Sequence, residues 1–278
     1  MSGVLYIVAT PIGNLDDISQ RALSILGSVE LIAAEDTRHS RSLLSRYGIG
    51  TPMVSLHDHN EHLKANDLIE KLRGGQSIAL ISDAGTPLIS DPGYRLVKLV
   101  NEAGLIVSPI PGPSSVITAL CAAGLPTDQF YYAGFLAHKN AERLSRLAEL
   151  STFNTTLILL ESSHRILRLM EQLAVDFSEQ EVVIAKELTK IHERFLRGKS
   201  SDLALQLSEE VVLQKGEFVV LIDNRKLHEG EEMDPEVTIL LKRLIEDLPV
   251  KKAVKIVADI SGQKKNALYK LALEIKPE

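Results

Sequence analysis

The chain has 278 residues, of which 45% are apolar and 24% are charged, a composition typical of a folded globular protein with one or two domains. Its 31 basic and 37 acidic residues give a net charge of −6, so any nucleic-acid contact must come from a local basic patch. The single cysteine, Cys121, excludes a disulfide framework, and its apolar surroundings predict a buried thiol. The N-terminus lacks a signal-peptide pattern and no uncharged apolar run reaches membrane-spanning length, so we expect a cytoplasmic protein without a membrane segment.

The first part of the chain alternates β-rich runs with segments of helical periodicity. Apolar runs that predict strands lie at 4–9, 29–34, 53–56, 78–81 and 105–110. Apolar residues at helical spacing follow each run. This order predicts a parallel α/β domain over residues 1–123. In such a domain the loops that follow the strands meet at one edge of the sheet, where ligands bind.

Three of those loops are rich in glycine and proline, at 10–14, 82–93 and 111–115. The stretch 82–93 holds two prolines, two glycines and two carboxylates, and a short connection would not need them. It therefore predicts a ligand-binding loop. The first loop has only Gly13 where a dinucleotide fingerprint has three glycines, and no phosphate-cradling Gly-x-x-x-x-Gly-Lys motif is present. Nicotinamide and nucleoside-triphosphate sites are thereby disfavoured.

Polar residues follow the second and third predicted strands. Asp36 and Arg38 come directly after the run 29–34, and two interpretations are open. They could form a catalytic carboxylate and guanidinium at the mouth of the sheet, or Asp36 could be the N-cap of the next helix. The segment 57–62 holds three histidines, but a helix is predicted to begin inside it. We therefore interpret it as a polar entry to that helix and predict no metal site.

The pattern changes at the turn-forming segment 124–128, which is the candidate domain boundary. Further strand-like runs lie at 130–136, 155–160, 182–185 and 218–222. They predict a second α/β domain over residues 124–226. Two of its strand ends place a carboxylate beside basic residues, with Glu161 preceding Arg165 and Glu187 following Lys186. Such groups could serve catalysis, although solvated charges at strand ends are equally common.

A small basic module closes the chain. The acidic stretch from Leu227 predicts a solvated linker, and residues 235–278 predict a helical module. Residues 248–278 hold seven lysines and three acidic residues, a local charge of +4. Their apolar spacing predicts two short helices joined at Gly262. Such a module could contact a nucleic-acid backbone or serve as a soluble helical cap.

Several motifs occur in one order along the chain: TPIGNL at 10–15, AEDTR at 34–38, SDAGTP at 82–87, SDPG at 90–93, PGPS at 111–114, GFL at 134–136, ESSHRI at 161–166 and KELTK at 186–190. Together they resemble the ribosomal RNA small subunit methyltransferase I family of the tetrapyrrole-methylase class. The resemblance runs from residue 4 to about 224 and resumes at 264–270. It therefore covers nearly the whole chain.

The resemblance implies an S-adenosylmethionine-dependent enzyme that methylates the ribose 2′-hydroxyl of a cytidine in the decoding region of small-subunit (16S) ribosomal RNA. It further implies two α/β domains with a folded cofactor in the cleft between them, a homodimer, and ribosomal RNA within the 30S subunit as the partner. Two alternatives stay open. One is a methyltransferase of the same class that acts on a corrinoid or porphyrin, and the other is a non-catalytic RNA-binding protein that retains the cleft.

The resemblance also suggests which residues form the site. Those expected to bind the cofactor are Pro11, Gly13, Asn14, Ser82, Asp83, Ala84, Gly85, Thr86, Pro111, Gly112, Ser114, Ser115, Leu160 and Leu188. Those expected to be catalytic are Asp36, Arg38, Glu161, Lys186 and Glu187. The carboxylates are candidates for the general base, because a ribose hydroxyl is a poor nucleophile until its proton has an acceptor. The basic residues, with Lys190, would orient the substrate or hold phosphate.

Overall fold

A computed structural model describes residues 2–225, 235–263 and 265–275. The chain forms two compact units, Met1–Arg225 and Lys226–Glu278. The first unit contains two β-sheets and the second unit is helical. The linker predicted from Leu227 lies outside the described residues. The boundary that we place between the two α/β domains at residue 123 stays a prediction.

The first sheet consists of parallel strands flanked by helices, as the sequence predicted. Its strands are β1 (Val4–Val8), β2 (Leu31–Ala34), β3 (Met53–Ser55), β4 (Ile78–Ile81) and β5 (Ile106–Ile110), in the order β3-β2-β4-β1-β5. Its helices are α1 (Gln20–Ser28), α2 (Thr37–Arg46), α3 (Glu61–Arg73), α4 (Tyr94–Glu102) and α5 (Ser115–Ala123). Alternate residues of β4 enter opposite layers of the core. Ile81 packs with α1 and α2, whereas Leu80 packs with α3 and α4.

Strands β1 and β4 lie side by side at the centre of this sheet. The chain leaves β1 towards β2 and leaves β4 towards β5, in opposite directions. Such a reversal opens a crevice at the carboxyl ends of the two strands, where ligands bind in open α/β sheets. The glycine- and proline-rich loops at 10–14 and 82–93 begin at this crevice.

The second sheet is mostly antiparallel. Its strands are β6 (Phe130–Phe135), β7 (Thr156–Ser162), β8 (Val182–Lys186), β9 (Arg194–Gly198) and β10 (Glu217–Asp223), in the order β6-β7-β10-β8-β9. Its helices are α6 (Asn140–Leu150), α7 (Ile166–Asp176) and α8 (Ser200–Glu209). The sequence analysis missed β9, which has two arginines and no apolar run. As an edge strand it pairs only with β8, and edge strands tolerate such charges.

Helix α5 joins the two sheets of the first unit. Its apolar side packs on one face of the second sheet, against residues such as Ile158 and Val219. Arg197 of β9 donates hydrogen bonds to the carbonyls of Ala122 (2.9 Å) and Ala123 (3.2 Å) at the end of α5. The prediction that Cys121 is buried is wrong. The helical period turns this thiol away from the sheet, and it is exposed.

The second unit has three described helices, α9 (Pro235–Asp247), α10 (Val250–Ser261) and α11 (Lys265–Ile275), around a core of its own that includes Leu241, Val257 and Leu268. Gly262 ends α10 in a left-handed conformation, which confirms the predicted glycine turn between two helices. No helix within the described ranges is long and apolar enough to cross a membrane.

Candidate functional site

The loops at the crevice are hydrogen-bonded to one another. The Thr10 N–H donates to the carbonyl of Gly85 (2.8 Å), and the Gly85 N–H donates to that of Thr10 (3.0 Å). Gly85 has a φ of 82°, a conformation that favours glycine. The Thr86 hydroxyl donates to the carbonyl of Pro113 (3.0 Å), which adds the third loop. Gly85 and Thr86, predicted to contact the cofactor, therefore hold the loops together.

The first loop also meets the second half of the unit. The Asn14 N–H donates to Oγ1 of Thr189 (3.0 Å). A Cβ atom added to Gly13 would lie 2.8 Å from the carbonyl oxygen of Leu188 and 2.6 Å from Cγ of Lys190. Glycine is therefore required at position 13 because two chain segments approach closely there.

Left-handed backbone conformations mark the loops around the crevice. Leu88, Ser90, Glu187 and Thr189 have φ angles of 74°, 68°, 51° and 63°. In the described part of the chain these are the non-glycine residues with positive φ. Each such conformation costs about 1–3 kcal/mol and persists where the surrounding structure enforces it, often at ligand sites.

A cavity of about 520 Å³, here called cavity A, lies between the loops of the first sheet and the second sheet. Its apolar wall comprises Ile12, Leu160, Ala185, Leu188 and Val219. Polar residues of its wall include Glu35, Asp83, Ser90, Asp91 and Ser115 from the first half of the unit, and Glu161 and Glu217 from the second sheet. Leu160, Ala185 and Val219 are cross-strand neighbours on one face of the second sheet. A ligand in cavity A would thus meet both an apolar surface and several carboxylates.

A second cavity of about 320 Å³, here called cavity B, adjoins cavity A. Residues of its wall include Pro11, Gly13, His39, Ser40, Ser42, Ser82 and Lys190. The two cavities share Ile12, Asp83, Ala84 and Glu217 in their walls. Two ligands bound in the cavities would therefore meet beside these shared residues.

The carboxylates of cavity A form an acidic wall. Burial raises the pKa of Glu35, the Asp83 N–H opposes this shift by hydrogen bonding, and the charges of Asp91, Asp83 and Asp58 add to it. Burial also raises the pKa of Asp91, against a hydrogen bond from Ser82, with Asp83 and Asp58 adding again. Carboxylates that repel each other in this way favour a cationic ligand. In the described ranges no group of three or more His, Cys, Asp or Glu side chains is arranged to hold a metal ion.

Asp36 and Arg38, predicted to be catalytic, lie outside the walls of both cavities. The Asp36 carboxylate accepts a hydrogen bond from the Arg38 N–H (2.8 Å) and caps α2, which confirms the N-cap interpretation. The guanidinium of Arg38 also bonds both carboxylate oxygens. Hydrogen bonds from the side chain and backbone of Arg38 lower the pKa of Asp36 to about 2. Such a carboxylate accepts a proton weakly.

Glu161 and Lys186 are placed by the alternation of their strands. Both pair directly with Phe218, so all three belong to the face of the second sheet that packs on α6, α7 and α8. The neighbouring residues Leu160 and Ala185 belong to the opposite face, which borders cavity A. Glu161 still contributes to the wall of cavity A, whereas Lys186 does not.

Glu187 is held by its neighbours beside the cavities rather than in their walls. Its carboxylate accepts hydrogen bonds from Nζ of Lys190 (3.0 Å) and from the Glu217 N–H (3.0 Å). Burial opposes its ionisation, but these hydrogen bonds outweigh burial and lower the pKa of Glu187. Lys190 also forms an ion pair with Glu217 (3.0 Å).

The residues predicted to bind the cofactor divide into two groups. Those in the cavity walls are Pro11, Gly13, Ser82, Asp83, Ala84, Ser115, Leu160 and Leu188. Those behind the walls are Asn14, Gly85, Thr86, Pro111, Gly112 and Ser114. The sequence analysis did not name Glu35, His39 or Glu217 as site residues, and it predicted Asp91 only as part of the ligand-binding loop at 82–93. Glu35 directly follows β2 and precedes Asp36, and only the structure shows which of these adjacent carboxylates faces the cavity.

Comparison with known proteins shows which proteins share this architecture. The chain matches the profile of the Tetrapyrrole (Corrin/Porphyrin) Methylases over residues 4–204 and that of the RsmI C-terminal HTH domain over residues 231–276. Diphthine synthase has a similar structure, with a TM-score of 0.62 at 15% identity over 79% of this chain and 89% of that chain. Uroporphyrin-III C-methyltransferase from Thermus thermophilus also has a similar structure, with a TM-score of 0.56 at 22% identity over 80% of this chain and 95% of that chain. A structure of uroporphyrin-III C-methyltransferase from Thermus thermophilus complexed with S-adenyl homocysteine gives a TM-score of 0.53 at 16% identity over 79% of this chain and 97% of that chain.

The fold, with two sheets and loop-lined cavities between them, is that of the tetrapyrrole-methylase class of methyltransferases. Proteins named ribosomal RNA small subunit methyltransferase I are similar over nearly the whole chain. The Pasteurella multocida protein is 50% identical over 99% of this chain and 98% of its own. The Escherichia coli O157:H7 protein is 50% identical over 98% of this chain and 95% of its own. The chain therefore belongs to the ribosomal RNA small subunit methyltransferase I family, as its motifs indicated.

Gly13→Ala should lower the free energy of unfolding by about 1–3 kcal/mol, because the added methyl group overlaps the backbone at Leu188. Gly27→Ala in α1 is the matched control, since nothing lies within 4 Å of its added Cβ. It should be neutral or stabilising, by up to about 1 kcal/mol. Urea unfolding of both variants measures the difference. Equal stabilities would contradict the close approach at Gly13.

Glu35→Gln should make the protein more stable at neutral pH. The folded-state pKa of Glu35 lies above its ordinary value of 4.5, so the wild type loses stability as pH rises from 4.5 through the folded pKa. The glutamine variant avoids this loss, and the two proteins should be equally stable at about pH 4, where Glu35 is protonated. Thermal unfolding at both pH values tests this, and Glu209→Gln, at an exposed position at the end of α8, is the control. A variant that is less stable at neutral pH would contradict the acidic wall.

Proposed function

We propose that this protein transfers the methyl group of S-adenosylmethionine to a ribose 2′-hydroxyl of small-subunit ribosomal RNA, and that the target is a cytidine in the decoding region. The observation that carries the proposal is the pair of adjoining cavities, which share Asp83 in their walls. One cavity suits the cofactor and the other suits a nucleotide. The names of the relatives support RNA as the substrate.

Cavity A suits S-adenosylmethionine. The cofactor carries a sulfonium and an ammonium group against one carboxylate, and the acidic wall of Glu35, Asp83 and Asp91 complements its net positive charge. The apolar wall around Leu160 and Leu188 suits the flat adenine ring. The Thermus structure complexed with S-adenyl homocysteine supports S-adenosylmethionine as the cofactor of this class. When bound, the cofactor supplies an electrophilic methyl group.

Cavity B suits the target nucleotide. It contributes the hydroxyl group of Ser42, the imidazole of His39 and the ammonium group of Lys190. These are donors for the ribose and for a flanking phosphate. Lys190 is already bonded to Glu187 and Glu217, which fixes the position of its ammonium group. The chain thus orients the 2′-hydroxyl towards cavity A, and orientation of this kind can lower a barrier by about 7–11 kcal/mol.

Asp83 is the carboxylate best placed to accept the hydroxyl proton. It lies in the walls of both cavities, and its Oδ1 accepts a hydrogen bond from the Asp36 N–H (3.1 Å). Glu217 is also shared, but it forms an ion pair with Lys190. The earlier candidates Glu161 and Glu187 stay predictions for the same role. Asp36 is the least suited of them, because its pKa is about 2.

Three finer expectations belong to this proposal. The substrate is the RNA within the 30S subunit, the protein acts as a homodimer, and it works in the cytoplasm. Incubation with labelled S-adenosylmethionine tests the central reaction, using 30S subunits, free ribosomal RNA and a porphyrin as separate acceptors. Label in an alkali-resistant dinucleotide from the RNA is the expected result. Label in the porphyrin alone would favour the small-molecule alternative, and failure to bind the cofactor would favour the non-catalytic one.

Asp83→Asn should lower kcat by about 10²- to 10⁴-fold at saturating cofactor, because the hydroxyl loses its proton acceptor. Asp67→Asn on α3, whose carboxylate pairs with Lys71 on the helix surface, is the matched control and should keep the wild-type kcat. An Asp83→Asn variant with the wild-type kcat at saturating cofactor would exclude Asp83 as the base.

Replacing Lys251, Lys252 and Lys255 of α10 with alanine should weaken RNA binding and leave cofactor binding unchanged. All three side chains are exposed, and each cation that contacts a phosphate adds to the salt dependence of binding. Titrations of RNA at increasing salt should give a smaller slope for the triple variant. Full activity at limiting RNA would contradict a role for the second unit in RNA binding.

A further inference from the structure

Three arginines lie near one another beside the face of the second sheet that packs on α6, α7 and α8. Nε of Arg165 lies 2.9 Å from Oε1 of Glu161 at the end of β7. Arg143 of α6 and Arg168 of α7 both donate hydrogen bonds to Oδ1 of Asn140, at 3.2 and 2.8 Å. We call Arg143, Arg165 and Arg168 the arginine cluster.

Among the described residues, the one ion pair that the arginine cluster forms is that of Arg165 with Glu161. Arg143 is only 1% exposed, and its Nε has no hydrogen-bond partner in the described residues. Burial lowers the pKa of Arg143, and the charges of Arg168 and Arg165 lower it further against the opposing charge of Glu161. A buried guanidinium with an unused donor normally requires an anion or an acceptor nearby.

The other carboxylates on α6 are already paired. Glu142 forms an ion pair with Lys139 (3.0 Å), and Glu149 forms one with Arg146 (2.6 Å). Glu171 of α7 is exposed and forms no ion pair with a described residue. Glu161 is thus the carboxylate that pairs with this cluster, through Arg165, and a further anion could pair with the other two arginines.

Part of the cluster is accessible from solvent and adjoins cavity A. Arg168 is exposed, and so is His138, whose Nδ1 lies 3.3 Å from Nη1 of Arg165. Glu161 and His164 contribute to the wall of cavity A, and Glu161 pairs with Arg165, so the arginine cluster lies next to that cavity. An extended ligand that enters the cavities could therefore reach the cluster.

We propose that the arginine cluster binds backbone phosphates of the RNA substrate and so holds the strand beside cavity A. The proposal rests on the proposed function, because it takes RNA as the substrate. Guanidinium groups match phosphate with paired N–H donors, and they keep their charge when partly buried. Phosphate contacts of this kind set the position of a nucleic acid without reading its sequence.

Arg168→Ala in the full-length protein tests the proposal, since this side chain is exposed and its removal should leave the fold intact. The matched control is Arg73→Ala. Arg73 is the last residue of α3, which leads into the amino end of β4, and it forms an ion pair with Glu70 (2.7 Å). The probe is a fluorescent oligonucleotide of the small-subunit ribosomal RNA, and its anisotropy is measured from low to high salt. Arg168→Ala should weaken binding about 5-fold and reduce the slope of log K against log salt by about 1. Arg73→Ala should change neither.

Two further measurements separate the outcomes. Arg168→Lys should restore the salt slope of the wild type because it restores the charge. Affinity for S-adenosylmethionine should be the same in every variant. If the wild type binds and methylates RNA but Arg168→Ala matches Arg73→Ala, the arginine cluster is structural and the proposal fails alone. If the wild type neither binds nor methylates RNA, the proposed function fails and this inference fails with it.

Discussion

The pair of hydrogen bonds between Thr10 and Gly85 is the constraint on which the site depends. It joins the loops that leave the two central strands, β1 and β4, in opposite directions. Without this bridge the crevice between those strands would have two independent loops as its walls. With it, the ligand-facing residues on both loops are fixed relative to the same sheet edge. The hydrogen bond from Thr86 then adds the loop that leads into α5.

Helix α5 connects these fixed loops to the second sheet. Its apolar side covers Ile158, Val183 and Val219, and the same sheet face continues into the apolar wall of cavity A. One packed layer thus positions both the helix and the ligand surface. Glu161 belongs to the opposite face of the sheet, where it pairs with Arg165 of the arginine cluster. The alternation of side chains along β7 therefore places Leu160 in the apolar wall of cavity A and its neighbour Glu161 beside the arginine cluster, at the edge of the same cavity.

Local sequence patterns predicted most of the strands and helices. They did not predict on which side of a strand or helix a given side chain lies. The strand predicted at 78–81 is found there, and the helix predicted to begin within 57–62 begins at Glu61, because length and apolar periodicity decide such elements. The choice between Glu35 and Asp36 could not be made from the sequence, since both follow β2 and either could cap α2. Lys186 was predicted to be catalytic from its position at a strand end. Its pairing with Phe218 places it on the far face, and only strand register reveals that.

The central claim is that cavity A holds the cofactor with its reacting end towards cavity B. A crystal structure of the protein soaked with S-adenosylhomocysteine tests it most directly. We predict the adenine against Leu160 and Leu188, and the sulfur atom beside Ile12 and Asp83, where the two cavities meet. A ligand bound in cavity B, or one whose sulfur points away from Asp83, would contradict the assignment of the two cavities.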